Sequence, residues 1–113
     1  MARSNKPIVW GPFAAGGTLT AFLAPALIVA TLAAALGAVP AGLSYDTLHA
    51  FAAHWLGKLV IAGVLIPSLW HAAHRLRITL HDLGLRADTA VAWGLYGVAG
   101  AASVVALAAL LRI

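Results

Sequence analysis

From residue 7 to residue 45 the chain carries no charged side chain at all, and most later charges are gathered between residues 75 and 88. About 20 consecutive apolar residues suffice to cross the hydrocarbon core of a bilayer. The pattern predicts three membrane-spanning helices, over residues 13–39, 47–74 and 89–111. Between the first two, "GAVPAGLSYD" combines two glycines with a proline and predicts a short turn. The connection over residues 75–88 is longer and polar, with Arg75, Arg77, His81, Asp82, Arg86 and Asp88. The basic start before the first apolar run resembles a secretory signal, but such a signal has an apolar region of only about 7–15 residues. This run is longer, so it is read as a retained span.

The second span is the least uniform. His49, His54 and Lys58 all fall in its first half, which marks that end as the wetter one. Lys58 then lies two to three turns inside, where a charge at a helix centre costs on the order of 2.5–3.5 kcal/mol. Its long aliphatic stem lets the ammonium reach toward the surface. Pro67 should kink this helix and free the carbonyl near Gly63. In the third span Gly94, Gly97 and Gly100 recur at intervals of three, with Ala101 four after Gly97. Small residues on one face allow close helix approach in lipid, so this stripe is expected to be a packed face.

Basic residues set the orientation. The N-terminal segment has Arg3 and Lys6, the 75–88 connection has three arginines, and the turn between the first two spans has none. The positive-inside rule therefore places the N-terminus and the 75–88 connection in the cytoplasm and the C-terminus outside. Trp10, Phe13, Trp55, Trp70 and Trp93 all fall near span ends, where interfacial aromatics belong.

Composition agrees with this single membrane domain over residues 1–113. Hydrophobic residues make up 63% and charged residues 9%, with a mean hydropathy of +0.97; a soluble domain carries about 25% charged residues. A net charge of +4 raises the question of nucleic acid, but the basic residues form no patch or run and sit where spans exclude charge. With no cysteine, the chain can form no disulfide and no thiolate-ligated metal centre.

Candidate chemistry is concentrated in "HAAHRLRITLHDL", residues 71–83. There is no Ser-His-Asp set, phosphate loop or carboxylate pair, and no glutamate anywhere. The spans contain no acidic residue, which argues against a proton-coupled exporter. On one helix His71, His74, Arg75 and Ile78 follow the spacing of a single face. That face leaves the membrane on the side where Trp10 and "AAGG" also lie. One reading is a basic collar facing lipid phosphates. The other is a quinone site: a quinone needs a lipid-accessible pocket, donors for its carbonyl oxygens and a group that exchanges protons. His74 and Arg75 offer both, and histidine titrates near neutral pH. A further alternative is axial ligation of a b-type haem by His71, with the second ligand from a partner or from His54 in the opposite membrane half.

The motifs themselves resemble a known family. "PIVWGPFAAGG" is similar to the P-x-x-W-G-x-F-x-A-G-G opening of the fumarate reductase D-subunit family, small membrane anchors of quinol:fumarate reductase. "AP" at Ala24-Pro25, "LSY" at Leu43 to Tyr45, "LW" at Leu69-Trp70, "HR" at His74-Arg75 and "HDL" at His81 to Leu83 follow in family order. The resemblance covers nearly the whole chain, and its first and last motifs are the specific ones. It implies a four-subunit quinol:fumarate reductase in the cell inner membrane. A flavoprotein holding FAD reduces fumarate, an iron–sulfur subunit passes electrons, and this chain with a second anchor, of the C-subunit type, holds both to the cytoplasmic face. It also implies a menaquinol site near the iron–sulfur subunit, with Trp10, His74 and Arg75 as this chain's nearest positions, and no catalytic centre on the chain itself. Two positions depart from the family pattern. Lys58 follows Gly57 where arginine is expected. His71 lies eleven residues before Asp82, a spacing that resembles the haem histidine and following aspartate of succinate dehydrogenase anchors. A haem-b anchor of the succinate dehydrogenase type and a small homo-oligomeric transporter are the competing functions.

Overall fold

Two glycines with positive φ end the long helices and decide where the connections begin. The computed structural model describes residues 6–113, so Arg3, which contributes to the expected orientation, lies outside it. Helix α1 (Lys6–Ala35) stops before residue 39 because Gly37 takes φ +82. The Ala38 N–H donates to the Ala33 carbonyl at 2.8 Å and the Gly37 N–H to the Ala34 carbonyl at 3.0 Å. These are the paired bonds of a Schellman cap, which absorbs carbonyls that would otherwise be orphaned in lipid. A 3-10 turn at Ala41–Leu43 leads into the short helix α2 (Tyr45–Ala53). The side chain of Ser44 accepts from the Thr47 N–H, and Asp46 in the first turn suits the positive end of the helix.

The expected single helix over residues 47–74 is two helices. His54 leaves helical geometry (φ −71, ψ 140), and α3 (Trp55–Asp82) starts after it. His54 caps the new helix: its Nδ1 accepts from the Leu56 N–H at 3.2 Å. The Phe51 carbonyl packs against Gly57, where any Cβ would overlap it. The break also relocates Lys58, which stands in the first turn of α3 rather than two to three turns inside a span. Its charge therefore begins near the surface.

At the other end α3 continues to Asp82, eight residues beyond the expected limit. Gly84, at φ +96, ends it with a second Schellman pair, Leu85 N–H to Leu80 and Gly84 N–H to His81, both 3.0 Å. The connection to α4 (Asp88–Arg112) is only residues 83–87. At 1.5 Å per residue a helix of 28 residues is about 42 Å long, roughly two turns more than a core of about 30 Å requires. Most of the polar connection is thus helix that projects from the membrane.

Helix α3 is central and packs on both α1 and α4. Against α1 the closest point is Gly16, where a Cβ would overlap the Pro67 carbonyl oxygen. One turn on, Thr20 Oγ1 lies 2.7 Å from the Gly16 carbonyl and 2.9 Å from Ser68 Oγ, so its one proton serves either. Against α3, α4 buries Ala99, Ser103 and Leu110, and Ser103 donates to the Ala99 carbonyl at 2.7 Å. The packed face of α4 is therefore not the glycine stripe: Gly94, Gly97 and Gly100 all look onto open space. Alanine and serine at i, i+4 already permit close approach, which leaves the glycines on another side.

Three of the helices, with spans of 26, 28 and 25 residues, are long and apolar enough to cross a membrane. Phe22, Leu36 and Trp93 are each nearly four-fifths exposed. Such a surface is stable facing lipid tails, and costly in water. No strand occurs among the described residues. The chain is an all-α membrane protein.

Candidate functional site

A cleft of about 680 Å³ opens where α1, α3 and α4 meet. Ile8, Trp10, Pro12 and Phe13 line it from α1, Ile66, Pro67, Trp70 and His74 from α3, and Tyr96 from α4. Its walls are aromatic and aliphatic; His74 and Tyr96 bring the titratable groups. A mostly apolar pocket with a few convergent polar groups is the usual form of a small-molecule site.

The two prolines help to form it. Proline has no N–H, so Pro12 and Pro67 leave the carbonyls one turn back, at Ile8 and Gly63, without their helical donors. Phe13 then reaches across the interface. Its ring stacks on His71 at 4.5 Å and meets His74 edge-on at 4.7 Å. Trp10 stands edge-on to Phe13 at 5.1 Å and to His74 at 6.0 Å. Within this chain the structure brings Trp10 and His74 together.

His71, raised as an alternative haem ligand, packs between α3 and α1. Its Nδ1 lies 3.1 Å from the Phe13 carbonyl oxygen, so Nδ1 carries the proton and donates it. The ring fits against Gly17, where a Cβ would stand 2.5 Å from Cε1. Phe13 lies on one side of the imidazole and the α1 backbone on the other, and His71 is not among the cleft-lining residues. These contacts tie α1 to α3. The "AAGG" glycines are used for this packing, and not for backbone approach to a ligand.

Arg75 is exposed and outside the cleft lining, as is Ile78. The inward face of α3 runs through Pro67, Trp70, His71, His74 and Arg77, so the arginine that joins the cluster is Arg77. Its Nε donates to Asp88 Oδ1 at 2.9 Å and its Nη2 to Oδ2 at 2.5 Å. With side chains 31% and 39% exposed, this forked pair adds little to stability, but its geometry is fixed. Nη1 of the same guanidinium donates to the Tyr96 hydroxyl at 3.4 Å. Tyr96 in turn lies 2.6 Å from His74 Nδ1 and stacks on Trp70 at 5.7 Å.

Tyr96 was not among the site residues expected from sequence. Its signal was a phenol eight residues into an otherwise apolar span, but only the packing of α4 on α3 brings it to His74. Phe13 was read as an interfacial anchor, and its place between two histidines was equally hidden.

The quinone test can be made on these side chains. A flat, amphiphilic ring needs an apolar slot open to lipid and a donor at one edge. The cleft has both: aromatic walls, and His74 with no partner for Nε2 among the described residues. The residues present fit such a group.

Comparison with known proteins gives a consistent result. Residues 1–111 match the family described as the D subunit of fumarate reductase. The chain is similar to the fumarate reductase D subunit of Haemophilus ducreyi, 40% identical over 98% of this chain and 94% of the relative. It is 38% identical to that of Actinobacillus pleuropneumoniae serotype 5b, over the same shares. Against the Vibrio cholerae serotype O1 protein the figure is 37%, over 93% of this chain and 82% of the relative.

Proposed function

Because the chain belongs to the fumarate reductase D-subunit family, we propose that it anchors the catalytic subunits of that complex to the membrane and forms part of its quinol site. It is a multi-pass inner-membrane protein and an accessory subunit of an oxidoreductase. The finer roles rest chiefly on one observation, the apolar cleft between α1, α3 and α4 with His74 and Tyr96 on its wall.

In this reading the chain has no catalytic centre. FAD and the iron–sulfur clusters belong to partner subunits, a flavoprotein and an iron–sulfur protein, and a second anchor of the C-subunit type completes the membrane part. The open glycine stripe of α4 supplies a surface on which helices of that second anchor pack closely. The projecting end of α3, with Arg75 exposed on it, faces the iron–sulfur subunit. Menaquinol, the substrate of this site, supplies two electrons and two protons on oxidation. Trp10 and Phe13 hold its ring in the cleft, and His74 meets one of its oxygens. Arg75 stays charged throughout and acts by electrostatics where the partner subunits close the site. Haem b is left out of the assignment, since the engagement of His71 with Phe13 favours a packing role. Family membership leaves the homo-oligomeric transporter without support.

Anchoring is tested by deletion of this chain. Fumarate reduction driven by a soluble electron donor should move from the membrane to the soluble fraction, while quinol-driven reduction is lost. Retention of the catalytic subunits on the membrane would contradict the anchoring role. The orientation is tested separately, with reporter fusions after Gly42 and after Ile113. Both should report the outer side, because the basic residues flank the other ends of the spans. Cytoplasmic signals from both would reverse the topology.

A further inference from the structure

The structure joins four side chains from two helices into one line: Asp88, Arg77, Tyr96 and His74. At Asp88 and Arg77 the direction of each link is fixed by chemistry. Asp88, an acceptor only, holds the Arg77 guanidinium through two parallel bonds. Arginine has donors and no acceptor, so at Tyr96 its Nη1 must donate, and the phenol oxygen accepts (3.4 Å). His74 Nδ1, at 2.6 Å, is the one acceptor the phenol proton meets among the described residues, so the phenol donates there. A histidine that accepts at Nδ1 carries its proton at Nε2, since the bond made by one ring nitrogen sets the state of the other. The tyrosine ring is itself held, stacked on Trp70 at 5.7 Å and on His74 at 6.4 Å, with the Arg77 Cζ 5.8 Å from its centroid.

Building on the quinol-site reading, we infer that Tyr96, held by Arg77 and Asp88, is a positioning residue that fixes the orientation and the proton of His74, so that His74 presents an Nε2–H donor to a quinone oxygen. The contrast with His71 supports this. His71 is fixed in the opposite tautomer by the Phe13 carbonyl, which is an acceptor, and it faces helix α1 instead of the cleft. Two histidines one turn apart thus receive opposite instructions from their neighbours.

The same line has a consequence for turnover. When quinol is oxidised, its two electrons pass to an iron–sulfur centre of the partner subunit and its two hydroxyl protons must leave. With its proton at Nε2, His74 takes up no quinol proton itself: its N–H steadies the negative charge that develops on the quinol oxygen while the two hydroxyl protons pass to water. The Arg77 and Asp88 side chains, about one-third exposed, mark where that line reaches solvent. No proton enters the line, and no group in it changes net charge.

A double-mutant cycle in the assembled complex tests the inference, with rates normalised to fumarate reduction by a soluble electron donor. Tyr96→Phe keeps the stacked ring and removes only the hydroxyl. It should lower kcat for menaquinol oxidation by about tenfold or more, since a misdirected donor loses part of what a preorganised one supplies, and change KM for menaquinol less than kcat. In a His74→Ala background the same change should cost nothing further, because residues that act as one unit are non-additive. Arg77→Lys, which keeps the charge but not the forked grip, should show a smaller loss that also vanishes in that background. An equal loss from Tyr96→Phe with and without His74, or no loss in either, overturns the inference. If His74→Ala itself keeps full menaquinol oxidation, the quinol-site reading fails first.

Discussion

Gly16→Val is expected to remove most of the assembled complex from the membrane. Gly16 is buried at the crossing of α1 and α3, and any Cβ there meets the Pro67 carbonyl oxygen and carbon before it meets a side chain. The obstructing atoms are backbone, and they belong to a residue whose φ is locked by its own ring, so the interface can relieve the overlap only by separating the helices. Separation also breaks the Thr20–Ser68 contact and withdraws Phe13 from His71 and His74. Overpacking of a close interface costs about 1–3 kcal/mol. In lipid there is little hydrophobic effect to hold the helices together otherwise, and each 1.4 kcal/mol is about a tenfold change in a population. The abundance of this protein in membranes, with membrane-bound fumarate reductase activity, measures the effect; we expect about one-tenth of wild type or less. Gly42→Ala, which meets nothing within 4 Å, is the matched control. Normal abundance of Gly16→Val would show that α1 and α3 do not cross as described.

The parts of the fold that follow from composition were legible in the sequence. Long uncharged runs must be spans, and Gly37, read as part of the first turn, became the Schellman cap of α1. What was not legible depends on contacts between segments. The break at His54 has no proline or glycine at the break itself; it exists because the histidine side chain caps α3 and Gly57 accepts the Phe51 carbonyl. Continuation of α3 through residues 75–82 was hidden because charged residues there looked like a loop, although nothing in "RLRITLHD" stops a helix before Gly84. At the site, spacing alone put His74 and Arg75 on one face. An α-helix advances about 100° per residue, however, and the packing of α4 selected the face one step away, bringing in Arg77 instead. Tyr96 could be placed only once two helices were set against each other.

His74→Ala should have the largest effect on the reaction itself. Among the cleft-lining residues His74 is the imidazole, in edge-on contact with both Trp10 and Phe13 and hydrogen-bonded to Tyr96. As the proposed contact to a quinol oxygen, it donates a hydrogen bond there as electrons depart. Loss of one preorganised donor in a water-poor site costs about 2.7–4 kcal/mol, on the order of a hundred- to a thousandfold in rate. Fumarate reduction by a soluble donor bypasses this step, because those electrons reach the flavoprotein without passing through quinol.

Two assays on one preparation of assembled complex, wild type against His74→Ala, therefore bear directly on the central claim that this cleft is the quinol site. The account predicts that menaquinol:fumarate turnover falls about a hundredfold or more while soluble-donor turnover per complex is retained. Equal activity in the two proteins in both assays, or an equal fall in both, would contradict it and leave His74 a packing residue of the anchor.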